Sequence, residues 1–250
     1  MKRHLIAAAL GLAASMPTLA LDFVANNPAP SVISPGSETT LQTILTDLFP
    51  SSGLNANTDQ SSAAFWSSAT PSATSSIPYL VAEFAAKAPS QSFGIWFGTD
   101  TQHIVTYNLL LGGASEDDAV GMTIKGNTLK VFGPGDCGTK FNCGTFTHEL
   151  INPTNFGFFF KPSPNEPTYY SLDQLNPGAR KDRFIGFQDG STTNWLFAYE
   201  DGTDWDYNDM AVKVESITAV TAVPEPETYA LMMAGLAAVG FMSRRRKRHA

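Results

Sequence analysis

The stretch that decides the fold is RFIGFQDGSTTNWLFAYEDGTDWDYNDMAVKVESI, residues 183–217. It holds three short apolar runs, RFIGF, NWLFAY and MAVKV, separated by segments rich in Gly, Asp, Asn, Ser and Thr. Aromatic and β-branched residues favour strands, and the intervening residues favour turns. The stretch therefore predicts three successive strands joined by short connections.

Similar short runs recur between Pro78 and Ile217, each bounded by Gly, Pro, Asn or Asp. No helical period and no internal repeat connects them. Strands in close succession without helices between them are typical of antiparallel two-layer folds. We therefore predict an all-β protein whose ectodomain, residues 37–217, is an antiparallel, jelly-roll-like β-sandwich.

One helix is expected before the strands. In SETTLQTILTDLF, residues 37–49, the apolar positions Leu41, Ile44, Leu45 and Leu48 recur at helical spacing. Ser37 is the candidate N-cap, and Pro50 follows the last turn. The pattern predicts a short amphipathic N-terminal helix.

The N-terminus has the layout of a secretory signal peptide. Lys2 and Arg3 precede an apolar run, and small residues stand at Thr18 and Ala20. This order predicts cleavage near Ala20, so residues 1–20 are a signal peptide and the protein is exported. Residues 21–36, rich in Asn, Pro and Ser, then form an extended leader.

The C-terminus combines a linker (218–227), an apolar segment (228–243) and a basic tail (244–250). The uncharged run from Thr228 to Met242 rises only about 22 Å at about 1.5 Å per residue, which is short of a hydrocarbon core of about 30 Å. Counting Pro226 to Ser243, with Arg244 snorkelling to the interface, brings the length to about 27 Å, which is marginal for the single transmembrane helix that we predict. The positive-inside bias places the basic tail in the cytoplasm. Its cations are Arg244, Arg245, Arg246, Lys247 and Arg248.

Val223, Pro224, Glu225 and Pro226, followed by the apolar segment and the basic cluster, resemble the PEP-CTERM sorting signal of Gram-negative bacteria. The resemblance implies that a membrane-embedded exosortase recognises these four residues. It also implies an inner-membrane-anchored precursor that goes to the cell surface or to the exopolysaccharide matrix of a biofilm.

The segment between the two targeting ends is strongly acidic. It holds all 23 acidic residues of the chain but only nine of its 16 Lys and Arg, which gives a net charge of −14. Such a surface argues against a nucleic-acid partner and favours solubility, cation binding or repulsion of like-charged polymers.

The chain has two cysteines, Cys137 and Cys143, in the Gly-rich segment GDCGTKFNCG. In an exported protein such a pair predicts a disulfide that closes a short loop. A zinc site is the weaker alternative, since no second cysteine pair completes a tetrahedral set.

Catalytic motifs are missing from the sequence. His148 is followed by Glu149, but Asn152 stands where a zinc protease needs its second His. No phosphate-binding Gly-rich loop and no nucleophile elbow occurs. We predict that the protein is not an enzyme, although a glycoside hydrolase with two paired carboxylates remains a less favoured alternative.

The connection between the last two predicted strands is rich in oxygen ligands. It contains Glu200, Asp201, Asp204, Asp206, Asn208 and Asp209. Calcium prefers six to eight such oxygens, so these six residues form a candidate calcium site. The alternative is that they only cap turns by accepting backbone N–H groups.

An EF-hand is excluded, although Glu215 stands twelfth counting from Asp204. Met210, Val212 and Val214 alternate as in a strand, which carries Glu215 roughly 20 Å from Asp209. We instead expect residues 204–208 to be extended, with the acidic side chains on one side and Trp205 and Tyr207 on the core side.

Residues 183–217 are also similar to an uncharacterised extracellular β-domain family found on PEP-CTERM proteins, whose signature is Asp-x-Asp-[Phe/Tyr]-Asn-Asp. LQTILTDLF, FGIWF and TYYSLDQLN extend the resemblance over most of residues 38–217. It implies a β-sandwich with suspected calcium binding and no assigned catalytic activity.

These patterns together predict an exported structural protein of the cell surface or exopolysaccharide matrix. The alternative is a carbohydrate-binding module for the exopolysaccharide that the cell itself produces. In that case Trp66, Trp96, Trp195 and Trp205 are candidate platforms on which sugars stack. Exposure of at least two of them on one concave face would favour this alternative.

Overall fold

The structure is a computed structural model. It describes residues 30–34, 36–68, 77–82, 90–100, 102–112, 119–133, 140–151, 155–190, 192–220 and 236, with the backbone alone for 77–82, 99 and 100.

The described residues are mostly β. One helix, α1 (Leu41–Leu48), precedes the strands. The strands are β1 (Trp66–Ser68), β2 (Ile77–Ala82), β3 (Ser92–Asp100), β4 (His103–Leu110), β5 (Gly121–Lys125), β6 (Thr128–Phe132), β7 (Gly144–Thr147), β8 (Gly157–Lys161), β9 (Tyr169–Tyr170), β10 (Phe184–Gln188), β11 (Trp195–Tyr199), β12 (Met210–Glu215) and β13 (Ile217–Ala219). Two 3₁₀ turns cover Glu149–Ile151 and Asp173–Leu175.

The strands form four antiparallel sheets. Two sheets have four strands each, in the orders β10-β11-β12-β2 and β4-β3-β8-β9. A three-stranded sheet follows the order β5-β6-β7, and β1 pairs with β13. The all-β prediction is therefore confirmed, and the stretch 183–217 forms the meander β10-β11-β12.

The two four-stranded sheets meet through aromatic side chains. Phe158 of β8 lies 4.5 Å from Phe197 of β11, measured between ring centroids. Trp66 inserts between the sheets and contacts Phe158, Phe197 and Trp195 at 4.9 to 5.6 Å. We call this group, with the other buried residues packed around it, the aromatic core.

Strand β11 is buried on both faces. Trp195, Phe197 and Tyr199 belong to the aromatic core, whereas the alternate residues Leu196 and Ala198 belong to a second apolar group. This outer cluster also contains the buried face of α1 and Tyr207, which lies in the connection after β11. The sheet is therefore covered by α1 on the side that faces away from the aromatic core.

The predicted helix is confirmed, but its N-cap differs. The Thr40 side chain accepts a hydrogen bond from the backbone N–H of Thr43 at 3.1 Å. The prediction of Ser37 as the N-cap is wrong, because the first helical turn begins only at Leu41.

The strand boundaries differ from the prediction in three places. TYYSLDQLN contributes only Tyr169–Tyr170 and then turns into a 3₁₀ segment. Strand β7 (Gly144–Thr147) had no clear sequence signal, because GTFT contains a single large apolar residue, Phe146. Strand β13 extends into residues that the sequence assigns to the linker, and the Val220 N–H donates to the Phe65 carbonyl.

Several predicted features lie outside the described residues. These are the signal peptide, most of the leader, the sorting residues 223–226, the basic tail and Cys137. Only Leu236 of the apolar segment 228–243 is described. In the part of the chain that the structure describes, no helix is long and apolar enough to cross a membrane.

Candidate metal centre

The ten residues 200–209 connect β11 to β12 and are called the acidic loop below. Tyr199, the last residue of β11, pairs with Met210, the first residue of β12. Because the two strands are adjacent at these positions, the two ends of the loop, Glu200 and Asp209, start side by side. The strand register, which follows from the apolar pattern, thus brings two carboxylates together.

Four carboxylates converge in the acidic loop. One oxygen each of Glu200, Asp204, Asp206 and Asp209 lies within 4.8 Å of the other three. Glu200 and Asp206 are 0% and 1% exposed, Asp209 is half-buried, and Asp204 is exposed to solvent. The group is therefore buried on one side and open to water on the other.

The loop is coiled, so the predicted extended conformation of residues 204–208 is wrong. Trp205 and Tyr207 have φ angles of 62° and 54°, in the left-handed region. Non-glycine residues enter this region at a cost of about 1 kcal/mol or more each, so the surrounding contacts must hold them there.

Two arginines hold Trp205 in this conformation. The guanidinium carbon of Arg180 lies 3.6 Å from the centroid of the Trp205 ring, and that of Arg183 lies 4.3 Å from it. Arg183 also donates from Nη1 to the Gly202 carbonyl at 2.5 Å. Arg183 therefore binds the loop at two points, through its charge and through its hydrogen bond.

Tyr207 is held from the other side. Its ring is buried in the outer cluster, and its hydroxyl donates to the Asp182 backbone carbonyl at 2.5 Å. Asp182 in turn forms an ion pair with Arg180, with 3.0 Å between Nε and Oδ2. The predicted anchoring of Trp205 and Tyr207 on the core is confirmed, because both side chains pack against the outer cluster.

Some of the acidic oxygens cap turns, as the alternative interpretation expects. Glu200 Oε1 accepts from the Gly202 N–H at 2.7 Å, and Asp209 Oδ2 accepts from the Asp201 N–H at 2.6 Å. Asp206 Oδ1 accepts from the Asn208 N–H at 3.3 Å. Turn capping therefore uses one oxygen of each of these three carboxylates.

The second oxygens of these carboxylates do not all form hydrogen bonds. Glu200 Oε2 and Asp206 Oδ2 are buried and have no hydrogen-bond partner among the described residues. A buried carboxylate oxygen without a partner is costly, since it loses its water without compensation. Turn capping alone therefore does not account for the loop.

Burial and mutual repulsion raise the pKa values of the carboxyls. Burial, together with the charges of Asp209 and Asp204, raises the pKa of Glu200 to about 8. Burial and the neighbouring carboxylates raise the pKa of Asp209 to about 7. Burial also raises the pKa of Asp206. Without a cation the loop therefore retains protons at neutral pH, because full ionisation places like charges together.

The other two predicted ligands, Asn208 and Asp201, make contacts of their own. The Asn208 amide donates from Nδ2 to the Thr39 carbonyl at 3.0 Å and to Glu38 Oε2 at 3.5 Å. Asp201 binds Asp209 through its backbone N–H, and its charge contributes to the raised pKa of Asp209. Glu215 pairs with Lys213 at 3.0 Å on β12, which agrees with the exclusion of an EF-hand.

The sequence analysis missed the residues that support the loop. Arg180, Arg183 and Asp182 precede β10, and Glu38 precedes α1. Glu38 is 170 positions from Asn208, so no local pattern links them. One feature of the sequence could have pointed to the two arginines: they are among only nine cations in the acidic segment.

The tryptophans do not form a sugar-binding face. Trp66 and Trp96 are 0% exposed and Trp195 is 1% exposed, so these three are not available as the stacking platforms of the alternative interpretation. Trp205 is half-buried and contacts both arginines. The inward-facing positions of a two-layer fold need large apolar side chains, and the three buried tryptophans fill them.

Cys143 lies partly buried against the aromatic core. Its predicted partner, Cys137, is outside the described residues. The disulfide therefore stays a prediction.

Residues 222–247 match the PEP-CTERM protein-sorting motif. The match contains the predicted sorting residues 223–226 and indicates an exported precursor that is anchored in the membrane, destined for the cell surface and recognised by an exosortase-type enzyme. No curated protein and no solved structure shows significant similarity to the chain. Membership of the β-domain family with the Asp-x-Asp-[Phe/Tyr]-Asn-Asp signature stays a prediction.

Proposed function

We propose that this protein is a non-catalytic structural component of the cell surface or exopolysaccharide matrix, and that its β-domain binds one calcium ion. The ligands are Glu200, Asp204, Asp206 and Asp209. The observation that carries the proposal is the convergence of these four carboxylates on one point from within a single loop.

The spacing of the oxygens suits calcium. Calcium–oxygen distances of about 2.3–2.6 Å place ligands on opposite sides of the ion roughly 5 Å apart. The four oxygens lie within 4.8 Å of one another. Magnesium requires shorter distances and a near-ideal octahedron, which is harder to build from four carboxylates of one loop. Water on the exposed side, next to Asp204, completes the coordination of calcium.

The buried oxygens and the raised pKa values support the same proposal. A cation at the centre of the group would bind Glu200 Oε2 and Asp206 Oδ2, the two buried oxygens that lack a partner among the residues described. It would also compensate the repulsion that raises the pKa of Glu200 and of Asp209.

A structural role agrees with the position of the site. The acidic loop joins two strands that help to form the aromatic core, so an ion bound there stabilises the β-domain. Outside the cell the calcium concentration is high enough to occupy sites of modest affinity. Contact with the exopolysaccharide stays part of this proposal, but the buried tryptophans do not provide it.

The test is calcium titration of the full chain in detergent by calorimetry, with melting measured in calcium and in chelator. At a free calcium concentration of 100 times Kd, folding gains about 2.7 kcal/mol. Terbium is a second probe, because Trp205 lies next to two of the ligands in the chain and sensitises its emission at short range.

Asp206→Asn should abolish both the heat of binding and the increase in melting temperature. The matched control is Glu215→Gln, which removes one carboxylate at the far end of β12 and should leave calcium affinity unchanged. A wild-type chain that shows no heat and no change in melting temperature would refute the proposed site.

A further inference from the structure

The sheet β5-β6-β7 has one buried face and one exposed face. Met122, Ile124, Leu129 and Val131 belong to the aromatic core. Because strand residues alternate between the two faces, the intervening side chains point away from the core. We call this outward surface the lysine–threonine face, and it consists of Thr123, Lys125, Thr128, Lys130, Thr145 and Thr147.

The strand register arranges the lysine–threonine face in two rows across the sheet. One row is Thr123, Lys130 and Thr145, and the other is Lys125, Thr128 and Thr147. Each row therefore has one lysine and two threonines. Lys125 and Lys130 are diagonal neighbours on adjacent strands, so their Cα atoms lie roughly 7–8 Å apart.

The charge of this face differs from that of the rest of the domain. Its three strands contain two lysines and no Asp or Glu, whereas the segment between the targeting ends has a net charge of −14. Both lysines are exposed, and neither forms an ion pair with another residue that the structure describes. Glu149, the first acidic residue after β7, lies in the 3₁₀ turn that follows. The face is therefore a positive patch on an acidic protein.

Phe132 extends the face at one end with an aromatic ring. It follows Lys130 on β6 at a distance of about 7 Å along the strand, and it is 37% exposed. The ring lies across Gly121, its partner on β5, and occupies the space that a Cβ atom there would need. One side of the ring covers the glycine, and the other side faces solvent. An aromatic ring beside hydroxyl and ammonium groups suits a sugar, which has apolar ring faces and polar edges.

We infer that the lysine–threonine face and Phe132 bind an anionic polysaccharide that carries carboxylate groups. The inference rests on the proposed place of the protein in the exopolysaccharide matrix and is independent of the calcium site. The ammonium groups of Lys125 and Lys130 pair with carboxylates of the polymer, and the threonine hydroxyls form hydrogen bonds with its hydroxyl groups. The exposed side of Phe132 packs against a sugar ring.

The acidic loop does not prevent this contact. Trp205 and Tyr207 of the loop pack on the outer cluster, which is on the opposite side of β11 from the aromatic core. The lysine–threonine face points away from the same core, so the core lies between the two surfaces. At physiological ionic strength the Debye length is about 8 Å, so exposed charges beyond that distance are largely screened from the polymer.

A lipid surface fits the face less well than a polysaccharide. Binding to a bilayer needs apolar side chains that reach the acyl chains. The lysine–threonine face presents hydroxyl groups instead, and the Phe132 ring lies across its own sheet. Anionic lipid is therefore the competing outcome of the test.

The test is binding of the full chain, in neutral detergent with chelator, to immobilised polygalacturonate, a linear polymer of a sugar acid. Dextran is the uncharged reference polymer. Because chelator keeps calcium from the acidic loop, the result does not depend on the calcium site. We expect binding to polygalacturonate that weakens as salt is added, and binding to dextran that is weaker by about tenfold or more.

Substitutions on the face should weaken binding in a graded way. We expect about a threefold loss of affinity for Lys130→Gln and about a tenfold loss when Lys125→Gln is added, as for exposed ion pairs of modest strength. Phe132→Leu keeps an apolar side chain over Gly121 but removes the ring, and should cost about threefold. Lys181→Gln removes the charge of an exposed lysine before β10 and is the matched control, with unchanged affinity.

Chemical acetylation of lysines on the wild-type chain gives a readout that needs no variant. Bound polygalacturonate should protect Lys125 and Lys130 from the reagent but leave Lys181 reactive. Absence of this protection, or an equal loss of affinity in Lys181→Gln, would refute the inference. Protection by micelles that contain phosphatidylglycerol, but not by the polymer, would assign the face to the membrane and also refute it. Neither result affects the calcium site, which calorimetry tests separately.

Discussion

The aromatic core and the acidic loop are both buried, but they are stabilised in different ways. The core joins two sheets through rings such as Trp66, Phe158 and Phe197 and carries no ionisable carboxyl. The loop buries Glu200 and Asp206 beside two further carboxylates. Apolar surfaces are stable together in any buffer, whereas buried carboxylates need protons, hydrogen bonds or a cation.

The difference shows how one hairpin combines a fixed scaffold with a responsive site. Strands β11 and β12 are anchored by the core and end at the pair Tyr199 and Met210. The loop that connects them starts from this rigid edge, so its carboxylates are brought together whether or not their charges favour it. Stability gained in the core therefore offsets the repulsion in the loop.

The largest expected effect belongs to the core. Trp66→Ala removes a side chain that contacts rings from both sheets, and we expect a loss of about 3–5 kcal/mol in the free energy of unfolding. The loss should be equal in calcium and in chelator. Chemical denaturation under both conditions measures it, and a loss that depends on calcium would break the distinction between core and loop.

Glu200→Gln should affect stability differently in chelator and in calcium, unlike the substitution in the aromatic core. In chelator it removes a carboxyl that burial and the charges of Asp209 and Asp204 keep protonated at neutral pH, and with it the free-energy cost of that raised pKa, so the melting temperature should remain equal to that of the wild type or rise. In calcium it removes a ligand, so the gain of about 2.7 kcal/mol expected at 100 times Kd should disappear. A similar loss of stability under both conditions would contradict the proposed role.

The pH dependence of stability should come from the loop. The pKa of Glu200 is raised from 4.5 to about 8 and that of Asp209 from 3.8 to about 7. At pH values between the ordinary and the raised pKa of each group, the folded protein binds more protons than the unfolded chain, so stability falls as pH rises. In chelator the melting temperature should decrease by several degrees from pH 5 to pH 8.5.

Calcium should oppose this decrease in melting temperature, because the ion replaces the protons that the carboxyls hold in chelator. Its affinity should therefore rise with pH over the same range, and binding at pH 7 should release protons, which calorimetry in buffers of different ionisation enthalpy detects. Glu200→Gln is the control, since it should reduce the slope in chelator. A slope that is unchanged in this variant would assign the pH dependence to other groups.

The smallest expected effect concerns the support of the loop. Tyr207→Phe removes the hydroxyl that donates to the Asp182 carbonyl but keeps the ring in the outer cluster. We expect a loss of about 1 kcal/mol, the usual net value of one hydrogen bond, together with slightly weaker calcium binding. Thermal melting and calcium titration check it. Tyr170→Phe, on the short strand β9, is a comparison outside the loop.

Local chemistry made much of the fold predictable. Short aromatic runs between turn residues correctly indicated β10, β11 and β12, and the spacing of Leu41, Ile44 and Leu45 correctly indicated α1. The density of carboxylates in one connection also made the acidic loop a candidate calcium site, although it left open which of them converge. These features depend on residues that are near in sequence, so a pattern is enough to find them.

The prediction was wrong where contacts between distant residues decide the outcome. An extended loop was expected because Asp204 to Asn208 alternate, but Arg180 and Arg183 stabilise Trp205 in the left-handed region. The alternation does not reveal such partners. The tryptophans were equally ambiguous, since a stacking platform and a core residue have the same sequence signal.

The sequence by itself determined the all-β class, the short helix, the acidic charge and the sorting motif, because each follows from composition or from a local period. Only the tertiary structure decided which acidic side chains meet, which tryptophans are buried and where the residues just before α1 lie. The physical reason is that these properties depend on contacts such as that between Glu38 and Asn208, 170 residues apart. The free energy of such contacts exists only after the sheets have brought both ends together.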